Sequence, residues 1–505
     1  MGIVIENLTE SRGAFKTIVK GAGFAFIGMF LGRIFSYFFN FIIARLGTEQ
    51  YGLLSLGFAI LVILTTFSIL GLRSGVLRYI AYYQSKGDNQ GIKGTIISSM
   101  SLACTFSVFI GIALYFSSDF ISSFFDPNLS PILKIFSFLI PILVTSEFFL
   151  RTMVAFKKNQ YSVFIQDFLE KLIKLLLTVL LIYLGYGLYG ATAAYVISIV
   201  FTLILSFYFM EKKVFSILNK TIKSINLKKK LFFFSLPLLM SGTMSLIVSW
   251  TDVLMIGYFK TTSDVGIYNA TLTISSLLLV LPMSLIALFL PVITTLYSQG
   301  KINEFKQTYF RTSKWIFLLN LPLSMIIFLF SKEILGLFGK DYVLGYVALS
   351  ILSLGYFVHT ISLTSLRTIE MSQKTGKIFW IYFIAALLNV IVNYLLIPKH
   401  GILGGAIATS LSYLASGILI FFVCRKVMMV QPFKWSYLKL LIGISFNIML
   451  VWYIKHLFVI NLRNIISTVF LFVILYVIIV GISKELDNED YLFIKIIFKK
   501  LGLKK

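Results

Sequence analysis

Apolar residues in this chain neither alternate with polar ones nor confine themselves to one helical face; they fill continuous runs. Such runs recur from Thr17 to Ile482, each of about 20 residues and so long enough to cross ~30 Å of hydrocarbon. Strands of a membrane barrel would alternate in polarity, so a transmembrane β-barrel is excluded. The pattern predicts an all-α polytopic membrane protein. Fourteen spans are expected, near 20–44, 50–72, 95–117, 132–155, 162–185, 188–210, 231–259, 265–297, 315–338, 342–366, 378–397, 401–424, 438–458 and 464–482.

Composition agrees with the pattern. A soluble chain of 505 residues would form about three domains, with roughly a quarter of its residues charged. This one is 58% hydrophobic and 13% charged, contains 50 Phe, and has a mean hydropathy of +0.93. The net charge of +25 suggests nucleic acid until its placement is examined. With the N-terminus inside, the inner segments hold 34 of the 45 Lys and Arg and the outer segments 8. That asymmetry predicts cytoplasmic N- and C-termini in the cell membrane. The basic balance reports topology and affinity for anionic membrane lipid, and no nucleic-acid partner is expected.

The chain also repeats. At an offset of 214, Gly52 matches Gly266, Tyr83 matches Tyr297, and Gly187, Gly190, Ala194 and Ser198 match Gly401, Gly404, Ala408 and Ser412. Six spans is an even number, so both copies enter from the same side, as two lobes related by an axis along the membrane normal. The expected organisation is an N-lobe over 1–210, a basic cytoplasmic linker over 211–230, a C-lobe over 231–424, and appended spans with a tail over 425–505. No connection between spans is long enough to hold a folded domain. Cys104 and Cys424 fall inside spans and suggest neither a disulfide nor a metal framework.

The stretch Ala386-Leu-Leu-Asn389-Val-Ile-Val-Asn393-Tyr-Leu-Leu-Ile-Pro398-Lys-His-Gly401-Ile-Leu-Gly404-Gly-Ala-Ile-Ala408-Thr resembles the polysaccharide-transporter (oligosaccharide flippase) family. That family belongs to the multidrug/oligosaccharidyl-lipid/polysaccharide exporter superfamily. Gly47-Thr-Glu-Gln-Tyr51-Gly52, Gly71-Leu-Arg73-Ser-Gly-Val-Leu-Arg78-Tyr, and Asp252-Val-Leu-Met-Ile-Gly257 with Asp264-Val-Gly266-Ile-Tyr-Asn carry the same resemblance. It implies a cationic central cavity with an arginine on the first span. It also implies a polyisoprenyl-diphosphate-linked oligosaccharide as substrate and polysaccharide assembly proteins as partners.

Ionisable residues at bilayer depth are costly and face an interior or an aqueous cavity. Arg33, near the middle of the first span, has two readings: a ligand for the headgroup phosphate, or a structural pair with Asp252 on span seven. Asn389 and Asn393 lie on one helix face at i, i+4; they either bridge to another helix or line a polar cavity. Arg33, Asp252, Asn389 and Asn393 are the expected cavity residues. Arg73, Arg78, Lys171 and Lys174 are expected at the cytoplasmic mouth, by the positive-inside rule or as a landing site for phosphate. Glu147 with Arg151, Asp167 with Lys171, and Glu170 with Lys174 are expected i, i+4 pairs. His359 has no second His or Cys at ligand spacing.

No Walker A loop or H-E-x-x-H occurs, so neither an ATP-driven pump nor a metalloprotease fits, and no catalytic residue, metal or cofactor is expected. A cation-coupled multidrug antiporter of the same superfamily is the rival reading. Such antiporters typically carry an acid on the first span, whereas no Asp or Glu lies between Lys20 and Arg45. The sequence therefore points to a flippase that moves a lipid-linked oligosaccharide by alternating access.

Overall fold

A computed structural model describes residues 28–372, 374–430, 436–457 and 462–483. The expected lead-in over residues 1–19, the start of the first span and the tail beyond 483 lie outside the described residues. Among the described residues the secondary structure is helical, without strands. Ten helices have the length and composition to cross a membrane. Gly28–Ala44, Leu246–Phe259 and Ile442–Lys455 are shorter apolar stretches. Large apolar side chains on their outer faces, such as Phe109, Phe116 and Tyr183, are exposed, as a lipid-facing surface requires.

The N-lobe consists of α1 (Gly28–Ala44), α2 (Thr48–Ile69), α3 (Leu72–Ser85), α4 (Asn89–Ser122), α5 (Ser130–Ala155), α6 (residues 159–183) and α7 (Gly187–Phe209). The C-lobe consists of α8 (Lys228–Phe259), α9 (Thr262–Ser298), α10 (Ile302–Leu329), α11 (Ser331–Phe338), α12 (Tyr346–Met371), α13 (Thr375–His400) and α14 (Ile402–Met428). Adding 214 to the first residues of α2, α4, α5, α6 and α7 lands within two residues of the starts of α9, α10, α12, α13 and α14. The sequence repeat is a structural one. Two further helices, α15 (Ser436–Leu457) and α16 (Leu462–Ile482), join the C-lobe: the Tyr476 hydroxyl donates to the Leu318 carbonyl at 2.6 Å, and Lys455 meets Glu333 at 2.9 Å.

Expected span two extends to residue 72, but the helix stops earlier. Leu70 and Gly71 both adopt positive φ, 53° and 69°. This breaks α2 from α3, because consecutive left-handed residues cannot continue a right-handed helix. Gly71 is required twice over, since a Cβ there would sit 2.3 Å from the Ser235 carbonyl oxygen of α8. Arg73 and Arg78 consequently belong to a separate short helix rather than to the end of a span.

The lobes meet most closely where α2 and α9 begin. A Cβ on Gly52 would lie 1.8 Å from the Thr262 carbonyl oxygen, and one on Gly266 would lie 1.9 Å from that of Thr48. Both the glycine pair and the threonine pair are related by 214 residues, so the crossing is symmetric and backbone touches backbone. In lipid such close packing gains dispersion energy rather than hydrophobic energy. Thr261 and Asp264 form a reciprocal capping box that fixes where α9 starts; such a cap contributes about 1 kcal/mol. Ser263 donates to Thr48 at 2.6 Å, and about two turns further along Asn269 donates to Ser55 at 2.7 Å. Ser55 and Asn269 are again 214 apart. Nearby, the Tyr342 hydroxyl donates to the Ala44 carbonyl at 2.8 Å, and Phe338 packs edge-on against Phe41.

Between the lobes, residues 215–227 lie against α4. Lys93 donates to the Asn219 carbonyl at 2.6 Å, and the Leu227 amide donates to Ser98 at 3.0 Å. Glu211 accepts the amides of Ile217 and Leu218, which holds this segment folded.

Candidate functional site

Two chambers that share Lys171 in their walls lie between the lobes, farther along α2 and α9 from their crossing. The first, of about 330 Å³, is lined by Gly32, Arg33 and Ser36 of α1, Asp167 and Lys171 of α6, and residues 280–284 of α9. The second, of about 250 Å³, shares Lys171 and adds Asn40, Lys174, Tyr195, Trp250 and Asn269 among its walls.

Local structure explains why α1 and α6 carry the charges together. Residues Val163–Leu169 form a π-helical turn inside α6. Gly32 packs onto it so tightly that a Cβ would be 1.9 Å from the Asp167 carbonyl oxygen. Arg33 is therefore held beside the π turn, a feature that recurs at functional sites. The expected Asp167–Lys171 and Glu170–Lys174 pairs are replaced by Lys171 with Glu170, at 2.5 Å. Lys174, buried, stacks on Phe39 at 3.9 Å and Tyr195 at 5.5 Å.

Arg33 is exposed to its chamber and makes no hydrogen bond or ion pair among the described residues. The charged side chains lining the two chambers are Arg33, Lys171 and Lys174 against Asp167. Lys171 and Lys174, expected at the mouth, thus line the chambers, on the same helix as Asp167.

Asp252, Asn389 and Asn393 are the principal correction. They were expected in the cavity, with bridging between helices the other reading of the asparagines, yet all three are buried within the C-lobe, at 1%, 0% and 0% exposure. Asp252 does not pair with Arg33. It accepts hydrogen bonds from the hydroxyls of Tyr268 and Thr409, the latter at 2.9 Å, and from the Val253 amide. Asn389 donates to Thr409 at 3.4 Å, and Asn393 donates to Asn389 at 3.0 Å. The asparagines bridge α13 to α14 and, through Thr409, to α8. The sequence signal for this network was the spacing of the two asparagines; Tyr268 and Thr409 stood only as members of the family strings. No cluster of three or more His, Cys, Asp or Glu suited to a metal occurs among the described residues.

Nearer the ends of α5 and α3, Glu147 takes the expected bond from Arg151 at 2.6 Å and a second from Arg73 at 3.1 Å. Arg78 stacks on Phe234 of α8 at 4.6 Å. Asn40, Trp250 and Thr273 line the second chamber without having been singled out in the sequence, and Asn269 stood only as the end of a family string. Neutral residues inside apolar runs carry no signal of facing a cavity.

Two pseudosymmetric lobes around a polar cavity define a multi-pass membrane transporter, not an ATPase or a hydrolase. The profile of the family described as "Polysaccharide biosynthesis protein" matches residues 18–297, and the chain belongs to that family. A profile described as "MatE" matches residues 237–395. A membrane protein of Methanocaldococcus jannaschii, MJ1068, is 25% identical over 458 residues, covering 87% of this chain and 90% of its own length. "Probable flippase AglR" of Haloferax volcanii is 30% identical over 190 residues, 36% of this chain and 39% of that protein. Two solved structures share the fold. The inward-facing conformation of a multidrug resistance MATE family transporter matches with a TM-score of 0.68 at 16% identity, over 80% of this chain and 98% of the other. Lipid II flippase MurJ, in an inward closed conformation, matches with a TM-score of 0.67 at 17% identity, over 90% and 97%.

Proposed function

We propose that the chain is a flippase for a polyisoprenyl-diphosphate-linked oligosaccharide, moving it from the inner to the outer leaflet of the cell membrane, with both termini cytoplasmic. The observation that carries this reading is Arg33: a guanidinium with no hydrogen bond or ion pair among the described residues, in an interlobe cavity with two lysines. Guanidinium binds phosphate oxygens bidentately. The isoprenoid tail stays in the bilayer while the cavity takes the headgroup. Rocking of the lobes about the cavity then exposes it to each side in turn. An outward-moving diphosphate of about two negative charges gains ~4–5 kcal/mol from a 100 mV potential, negative inside.

The MatE match and the likeness to a MATE transporter favour a second reading, a multidrug antiporter. The fold does not separate the two, since the TM-scores are 0.68 and 0.67; cavity charge does. Arg33 and Lys174, with Lys171 already paired to Glu170, stand against Asp167, and this cationic excess repels a cationic drug and attracts a lipid diphosphate. Deleting the gene in its own host tests the choice. Loss of a surface glycan, with the lipid-linked precursor accumulating, supports the flippase; intact glycan with increased sensitivity to cationic drugs refutes it.

A further inference from the structure

The second chamber differs in chemistry from the first. Asn40 follows Arg33 by seven residues on α1, about 10 Å along the helix, so the chamber begins where a group attached to a bound diphosphate would arrive. No carboxylate lines it. Among the described residues the Asn40 amide and the Trp250 indole N–H make no hydrogen bond, although both residues line the chamber. Trp250 and Tyr195 supply aromatic surface, while Asn269 and Thr273 supply polar atoms from the opposite lobe. Aromatic rings combined with unspent amides suit a ligand with apolar C–H faces and a rim of hydroxyls. An isoprenoid tail would leave those amides unsatisfied, at the cost of buried polar groups.

Resting on the flippase reading above, we propose that this second chamber is a sugar subsite: it takes the first pyranose ring of the headgroup. Trp250 gives the stacking surface, and Asn40 and Asn269 bind ring hydroxyls. Asn269 is the residue with a second consequence. In this structure its amide is spent on Ser55, across the lobe boundary and one turn from the Gly52–Gly266 crossing. A sugar hydroxyl that recruits Asn269 removes an interlobe hydrogen bond beside that crossing. Occupancy of the chamber thereby loosens the contact that must part for the lobes to rock.

The test uses the purified full chain in lipid nanodiscs and two probes, farnesyl diphosphate and its N-acetylglucosamine-linked derivative. Wild type is expected to bind the sugar-bearing probe at least tenfold more tightly than the bare diphosphate. Asn40→Ala and Trp250→Leu should each reduce that ratio below threefold, and the bare probe reports whether each variant retains a folded cavity. Equal binding of the two probes by wild type overturns the subsite, as does a tenfold preference kept by both variants. Arg33→Ala should weaken both probes alike. If it leaves both unchanged, or neither probe binds wild type, the diphosphate reading itself fails and the subsite with it. If only the ratio fails, the flippase reading stands and the subsite alone is lost.

Discussion

Adding one methyl group to the α2–α9 crossing is the sharpest perturbation the structure offers. In Gly52→Ala the new Cβ would meet the Thr262 carbonyl oxygen at 1.8 Å, and in Gly266→Ala the new Cβ would meet that of Thr48 at 1.9 Å. Real Cβ atoms essentially never approach closer than 3.0 Å, so the helices must separate by at least 1.2 Å. Backbone atoms form the obstacle, and no flexible side chain can move aside. Overpacking of this kind costs about 1–3 kcal/mol. The crossing belongs to the state seen here, so the cost falls on that state and shifts the lobe equilibrium by roughly 5- to 150-fold toward the parted one. Spin labels on the exposed Glu49 and Lys399, after replacement of Cys104 and Cys424, report the separation by pulsed electron resonance. Each variant should populate a longer distance. The double variant should add less than the sum, because one displacement relieves both clashes. Gly376→Ala, where a Cβ meets nothing within 4 Å, is the size control and should match wild type. Unchanged distances in folded Gly52→Ala and Gly266→Ala would refute the idea that this crossing holds the lobes together.

Other consequences follow from the charged and buried groups. Because Asp252 bonds Tyr268 and Thr409 and not Arg33, a double-mutant cycle of Arg33→Ala and Asp252→Ala should show coupling within about 0.5 kcal/mol in thermal unfolding; several kcal/mol would restore the pair. Glu147→Gln leaves Arg73 and Arg151 without their shared carboxylate; stability should fall by about 1–3 kcal/mol, read as a lower melting temperature. Cysteine labelling at Gly87, Lys220 and Gln299 should report the cytoplasmic side, and at Asn128 and Lys399 the outer side. Labelling of Lys220 and Asn128 from the same side would reject the orientation.

The repeat was legible because 214 residues separate matching small residues, and Gly52 with Gly266 already stood out. Their contact was not legible, since periodicity states which residues are equivalent and not that equivalents touch. Arg33 was legible as a charge in an apolar run, but its suggested partner was not. Opposite charges on symmetry-related helices look complementary in sequence, whereas the side of α8 that carries Asp252 faces Tyr268 and Thr409. Lys171 and Lys174 were misplaced for a different reason: the positive-inside rule counts charges along the chain and does not show which face of α6 lines a cavity.

The central claim, that Arg33 grips a lipid-linked diphosphate in transit, is tested most directly by reconstituted flipping. The assay follows a fluorescent polyprenyl-diphosphate-linked sugar in proteoliposomes made with wild type, Arg33→Lys or Arg33→Ala. The account predicts translocation by wild type, partial activity with lysine's single point charge, and none with alanine in a protein of unchanged melting temperature. Translocation by Arg33→Ala at the wild-type rate would contradict it.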